Sequence, residues 1–224
     1  MNPPEIGAVS VMALVSLYNE DFITAPCIPM KQLHRDDLFG WSEFNAERNL
    51  DFHSVLWVRK DGNVLVDPLP LSDHDRQHLQ ALGGARCIVI TNSDHLRDAE
   101  AVAIQTGAQL LGPMQERDHF PIPCERWLQE GDYVVSGLWV FEMAGSKTPG
   151  ELALLLEGDT LITGDLIRAH RGGQLCLLPD AKLTDKAEAI ASVKRLAALP
   201  GIANVLPGDG WPVFGNAKRC CKHW

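Results

Sequence analysis

From residue 51 onward the chain alternates apolar runs with short clusters of Gly, Pro, Asp, Asn and Ser. Runs at 54–58 and 64–66 flank Lys60, Asp61, Gly62 and Asn63, and Asp-Gly between β-rich runs predicts a hairpin. Residues 72–82 read as a helix, with Ser72 or Asp73 as N-cap and Gly83-Gly84 as the stop. Residues 86–91 read as a buried strand. Residues 96–106 read as a helix ending at Gly107, with Ala99, Val102 and Ala103 on one apolar stripe. A short strand follows at Leu110-Leu111, and further strands are predicted near 133–136, 138–143, 151–156, 160–163 and 203–206. The last helix is the clearest element. Thr184 can cap it, Asp185 lies in its first turn, and Lys194 and Arg195 suit its C-terminal dipole before Pro200-Gly201 ends it. Ala187, Ile190, Ala191 and Ala197 share one side of it, with Val193 and Leu196 alongside. Helices interleaved with two groups of strands predict an α/β fold: an αββα sandwich of two central mixed sheets flanked by helices.

Residues 1–50 show no clear period and carry polar breaks at Asn19-Glu20-Asp21 and His34-Arg35-Asp36-Asp37. They are expected to form an extension packed on a domain spanning 51–215, with 216–224 as a tail. Its tryptophan-bearing apolar character is compatible with a homodimer. The early apolar stretch 6–17 is too short to span a bilayer and lacks a basic n-region, so neither a membrane segment nor a signal peptide is expected.

The 224 residues suffice for one substantial core, and 46% hydrophobic and 22% charged residues are ordinary for a globular chain. A formal net charge of −9 argues against general nucleic-acid binding, which needs clustered Lys and Arg. Six cysteines (27, 87, 124, 176, 220 and 221) show no CxxC spacing, and Cys87 and Cys176 sit in apolar runs. They read as buried free thiols of a cytoplasmic protein.

The candidate chemistry lies in four segments, each following an apolar run: Thr91-Asn92-Ser93-Asp94-His95, Gly145-Ser146-Lys147-Thr148-Pro149-Gly150, Thr163-Gly164-Asp165 and Pro207-Gly208-Asp209-Gly210. In that order they resemble the metallo-β-lactamase superfamily, whose ligands come from an HxHxDH loop, a GH(T/S)PG-type loop, an (F/T)GD turn and a late GHG. Asp94 and His95 match the Asp and last His of the first loop, while no histidine matches the two before them. Lys147 stands where the second loop has its histidine, followed by the matching Thr148-Pro149-Gly150. Asp165 matches the GD aspartate, and Asp209 takes the place of the late histidine.

The resemblance thus implies that the first metal site is erased. The second keeps Asp94, His95 and Asp165 and gains Asp209 as a plausible fourth ligand. Each residue also has a plainer reading. Asp94 can simply cap the helix that follows, Lys147 can be a solvent-facing loop lysine, and Pro-Gly-Asp-Gly is strong turn chemistry by itself. An ammonium has no lone pair to give a metal, but Lys147 can replace the first metal's charge by contacting Asp165 directly. Asp67 is a candidate supporting residue, and Asp73-His74-Asp75 reads as helix-start chemistry. Arg168 and His170 could face the pocket but read first as a solvated loop, and Cys220-Cys221-Lys222-His223 could bind a soft metal but reads first as a frayed tail.

Two functions follow from the resemblance. In the first, a hydrolase-like protein with at most one divalent metal (Zn, Mn or Fe) cleaves a small-molecule ester, lactone, thioester or phosphoester through a metal-activated water. Asp94 or Asp209 would orient or deprotonate that water, and Lys147 would stabilise the oxyanion. Three carboxylates around one histidine favour Mn, Fe or Mg over a lone Zn. In the second, the protein is metal-free and serves as a binding or scaffold protein, with Lys147 and His95 neutralising the aspartates.

Overall fold

The computed structural model describes residues 30–215 and 217. The first sheet has seven strands in sequence order: β1 (Lys31–Gln32), β2 (Leu38–Asn45), β3 (Leu50–Trp57), β4 (Val64–Val66), β5 (Cys87–Val89), β6 (Gln109–Pro113) and β7 (Arg126–Leu128). β1 to β4 pair antiparallel, and β4 to β7 pair parallel. The second sheet runs β14 (Asn204–Pro207), β11 (Thr160–Thr163), β10 (Leu152–Leu156), β9 (Leu138–Glu142), β8 (Tyr133–Val135). In it β11 and β14 are parallel and the other pairs antiparallel. A separate ribbon pairs β12 (Ile167–Arg171) with β13 (Gln174–Leu177).

The three apolar cores follow from strand alternation. Trp57, Val89, Val140, Leu154 and Leu206 interlock between the two sheets. Leu56, Leu65, Ile88 and Ile90 point from the other face of the first sheet toward α1 (Asp73–Ala81) and α2 (Ala99–Thr106). Phe141, Leu155, Leu161 and Val205 point from the second sheet toward α3 (Lys186–Ala198). Successive side chains of a strand face opposite ways, so each sheet is apolar on both faces only because helices cover the outer ones. The αββα sandwich expected from the sequence is therefore the observed architecture. Truncating a fully buried leucine of the shared core, such as Leu154, costs about 2–5 kcal/mol.

Local differences from the sequence expectation have physical causes. β2 lies inside the segment expected to be an extension, yet it pairs with β3 over its whole length, from Leu38↔Trp57 to Asn45↔Leu50. Only its first half is buried, and this masks the alternation. The described part of 1–50 is thus integral to the first sheet, while residues 1–29 and the Cys220-Cys221 tail lie outside the described residues.

α1 starts as expected, with a reciprocal capping box between Ser72 and Asp75. The helix expected over 96–106 begins only at Ala99, because residues 93–95 form a separate 3-10 turn and Arg97 adopts a left-handed φ of 46°. α3 is capped by Asp185, whose side chain accepts from Glu188 N at 2.9 Å, while Thr184 instead donates to Ser146 O at 2.6 Å. Of the described cysteines only Cys87 is buried. Cys176 is exposed because it occupies an outward register position of β13.

Candidate functional site

The four segments meet at one edge of the sandwich, each on the loop that leaves a strand. Asp67 terminates β4, residues 91–95 follow β5, Lys147 lies between β9 and β10, Asp165 follows β11 and Asp209 follows β14. Backbone bonds lock these loops together. Gly208 N donates to Thr163 O at 2.8 Å, His53 N to Gly208 O at 2.9 Å and Leu152 N to Thr91 O at 2.8 Å. Glycine is required at Gly208 by contact: a Cβ there would lie 2.6 Å from His95 Cε1. At Gly164 a Cβ would crowd Thr91, Asn92 and Glu151 at 3.0–3.1 Å.

His95 is the most constrained side chain. Its Nδ1 lies 2.8 Å from Asp67 Oδ2, while Thr91 donates its hydroxyl to the same oxygen at 2.6 Å and its N–H to Oδ1 at 2.8 Å. Asp67 therefore orients the ring and leaves Nε2 facing Asp165 Oδ2, at 3.5 Å. Burial and then Arg97 push the His95 pKa down, but the carboxylates of Asp67 and Asp165 outweigh both and hold it at about 9. Burial would raise the Asp165 carboxyl, yet His95 and Lys147 hold it well below the usual carboxylate range.

Lys147 has the contact that charge replacement demands. Its ammonium sits 2.9 Å from Asp165 Oδ2 and 2.6 Å from Asp94 Oδ2. Burial pulls its pKa down, and the bonds to Asp165 and Asp94 more than compensate, leaving it above the ordinary lysine value. Asn92 donates to Asp165 Oδ2 at 3.3 Å from the other side.

The donor atoms of His95, Asp165 and Asp209 lie within 4.8 Å of one another, and all three residues are buried. Asp94, expected among the ligands, is not part of this group. Asn92, rather than Asp94, caps the 3-10 turn, accepting from Asp94 N at 2.9 Å. The Asp94 carboxylate turns to Lys147 at the rim, where its side chain is 53% exposed. Asp94 is thus neither a cap nor a member of the buried cluster.

Arg168, expected in a solvated loop, is buried and pairs with Asp209 Oδ2 at 3.0 Å. His170, two residues on, is exposed. Asp209 Oδ1 has no partner among the described residues although it is buried. Arg97 gives nothing directly to a carboxylate among the described residues. It donates to the carbonyl oxygens of His53, Asp67 (2.9 Å) and Gly208 (3.1 Å), tying the middle of β3 to the ends of β4 and β14. Behind Asp165, buried Glu151 accepts from the Ser146 hydroxyl and from Leu166 N at 2.8 Å. Burial first and Asp165 second push its pKa up to about 7. The roles of Arg97 and Glu151 were not legible beforehand, and that of Arg168 was only the second of its two readings. The one signal was their adjacency to the motifs, two residues past His95, three past Asp165 and one past Gly150.

Above these groups opens a pocket of about 340 Å³ lined by Asn45, Arg48, Phe52, Leu69, Asp94, His95, Arg97, Lys147, Asp165 and Asp209. Two sheets thus place a polar pocket at one edge, with acids and an imidazole on the loops after their strands, where binding and catalytic groups are commonly carried.

The chain belongs to the metallo-β-lactamase superfamily, whose family model matches residues 30–223. Among solved structures it is similar to a metallo-β-lactamase from Pontibacter korlensis, with 13% identity, a TM-score of 0.67, and coverage of 87% of this chain and 99% of that one. It is also similar to the DIM-1 metallo-β-lactamase (15% identity, TM-score 0.66, 83% and 90% covered). FIM-1 from Pseudomonas aeruginosa in its mono-zinc form gives 15%, 0.65, 86% and 93%. At these identities the likeness is one of fold. No curated protein matches the sequence. No helix among the described residues is long and apolar enough to cross a membrane.

Proposed function

We propose that the protein is a hydrolase of small esters, lactones, thioesters or phosphoesters that works with one divalent cation held by His95, Asp165 and Asp209. The observation that carries this reading is the buried cluster of His95, Asp165 and Asp209, in which Asp209 Oδ1 has no partner among the described residues. A buried carboxylate oxygen without a partner is costly, and a cation satisfies it. One imidazole and two carboxylates, with Asp67 behind the imidazole, suit Zn, Mn or Fe, and the double carboxylate weights the choice toward the harder ions. A cation there would supply Lewis acidity to the scissile oxygen and acidity to its water.

The chain's own groups do the rest. Lys147 uses two of its three N–H bonds on Asp94 and Asp165, which leaves one for a developing oxyanion at the pocket floor. Asp94, at the rim and in reach of solvent, is placed to accept a proton and pass it outward. Leu69 and the Phe52 ring line the same pocket and limit water around the reacting bond.

The test is metal content and its linkage to stability. Protein purified without chelator should carry about one equivalent of a divalent transition metal. Chelation should lower its melting temperature, and His95→Ala should abolish that response. Less than about a tenth of an equivalent, with a melting temperature indifferent to added Zn or Mn, rejects the reading. It would leave the metal-free binding protein, in which protonated His95 completes the charge balance.

A further inference from the structure

The pocket has an inner and an outer set of charges. Inside, Lys147 is matched by Asp165 and, toward the rim, Asp94, Arg168 by Asp209, and Arg97 by the carbonyl oxygens of His53, Asp67 and Gly208. Among the described residues the floor of the pocket therefore keeps no unmatched cation.

The outer rim nevertheless carries one. Arg48 lies in the turn between β2 and β3 and lines the pocket, its guanidinium carbon 5.9 Å from the centre of the Phe52 ring. It makes no ion pair with any carboxylate among the described residues. Glu43, Glu47 and Asp51 of the same hairpin leave it unpaired, whereas Arg35, Lys147 and Arg168 are each matched. The ring beneath it gives the guanidinium a flat support, so less freedom is lost when it meets a planar or tetrahedral anion. Beside it Asn45 accepts from Arg48 N at 2.9 Å through Oδ1, which pins the turn and leaves the amide N–H bonds of Asn45 on the pocket wall. An arginine and an amide with open donors, on the rim of a pocket whose floor cations are already matched, form a receptor for an anion.

Resting on the hydrolase reading above, we propose that the substrate is anionic. A carboxylate or phosphate remote from the scissile bond docks on Arg48 and Asn45 while the ester-type bond lies near Lys147. This would select acidic substrates in a chain whose own net charge is −9 and give Arg48 a specificity-determining role.

Two aryl esters that differ only in a remote group held rigidly away from the scissile bond provide the test: 4-nitrophenyl hydrogen terephthalate and its methyl ester. The metal-loaded protein should favour the acid by about tenfold or more in kcat/KM, with the difference in KM, as expected for a charge-assisted contact made equally in ground and transition states. Arg48→Ala should bring the ratio of the two esters close to one, and Arg48→Lys should restore part of it. A ratio unchanged by Arg48→Ala, or a wild-type protein that favours the methyl ester, overturns the proposal.

Calorimetric titration with glutarate and with inorganic phosphate reads the subsite without turnover. Binding of either that weakens about tenfold in Arg48→Ala supports it, and the tighter of the two identifies the anion. Binding of neither overturns it. If neither ester is cleaved while glutarate still binds through Arg48, the hydrolase reading fails and the anion subsite stands.

Discussion

The two halves of the site solve the same electrostatic problem differently. On the Lys147 side, Asp94 and Asp165 share one ammonium from the chain itself, and Asp165 also faces His95. On the His95 side, Asp209 receives only one oxygen's worth of compensation from Arg168, and its Oδ1 stays unpartnered. Where the superfamily pattern has its loop histidine, the Lys147 ammonium meets two carboxylates, and His95, Asp165 and Asp209 form a buried cluster beside it. The comparison teaches that a buried carboxylate needs a positive or donor group of matching position, and here that need is met more fully on one side than on the other.

The strongest test of the contrast is Arg168. Its pair with Asp209 is buried on both members, so Arg168→Leu should cost about 3–5 kcal/mol in metal-free protein, measured by denaturant unfolding. If Asp209 belongs to a cation site, added Mn or Zn should recover part of that loss, since the ion then supplies the missing charge. An equal loss with and without metal would remove Asp209 from the donor set and reduce the His95 side to an ion-pair cluster.

Lys147 gives a smaller effect because its side chain is 22% exposed and Asp94 is open to solvent. Lys147→Ala should cost about 2 kcal/mol, less than a fully buried pair. Lys147→Arg should recover little of it, since a planar guanidinium does not fit between two carboxylates held for a compact ammonium. An alanine variant as stable as the parent would mean that Asp94 and Asp165 are screened by water. The two halves would then not differ in the way described.

How much of this was readable beforehand depends on where each property resides. Strands β9 to β11 and helix α3 were legible because long apolar runs and a capped amphipathic helix are local signals. β2 was not, because its outer half is exposed and its partner β3 begins earlier than the apolar run suggests. The Lys147–Asp165 contact could be anticipated, since both residues sit inside segments whose order matched a known arrangement. The Arg168–Asp209 pair could not. In sequence Arg168 follows a turn and alternates with His170, yet the ribbon of β12 and β13 folds it inward onto Asp209, 41 residues away. Asp94 misled for the converse reason. Its motif position predicts a ligand, but Asn92 takes over the cap and Lys147 draws the carboxylate to the rim. Local patterns specify which loops meet, whereas the pairing of charges inside them is decided by packing.

The smallest effect concerns Glu151, which lies behind the Lys147 side and so tests whether that side is truly balanced. Burial and Asp165 lift its pKa from 4.5 to about 7, so the folded state disfavours its ionised form. For an acid raised on folding, the associated stability is fully present below pH 4.5 and is lost as pH rises through about 7. Glu151→Gln removes that dependence. The amide oxygen can still accept from Leu166 N, and the amide nitrogen can donate to the Ser146 hydroxyl oxygen once that hydroxyl turns. The variant should therefore match the parent near pH 5 and exceed it by about 1 kcal/mol near pH 8, seen as a melting-temperature difference that grows with pH. Lys147 contributes indirectly, because by neutralising Asp165 it limits how strongly that carboxylate repels Glu151. In a Lys147→Ala background the gain from Glu151→Gln at pH 8 should increase. A gain that is the same in both backgrounds would show that Glu151 responds to burial alone, and that the ammonium's influence ends at Asp165.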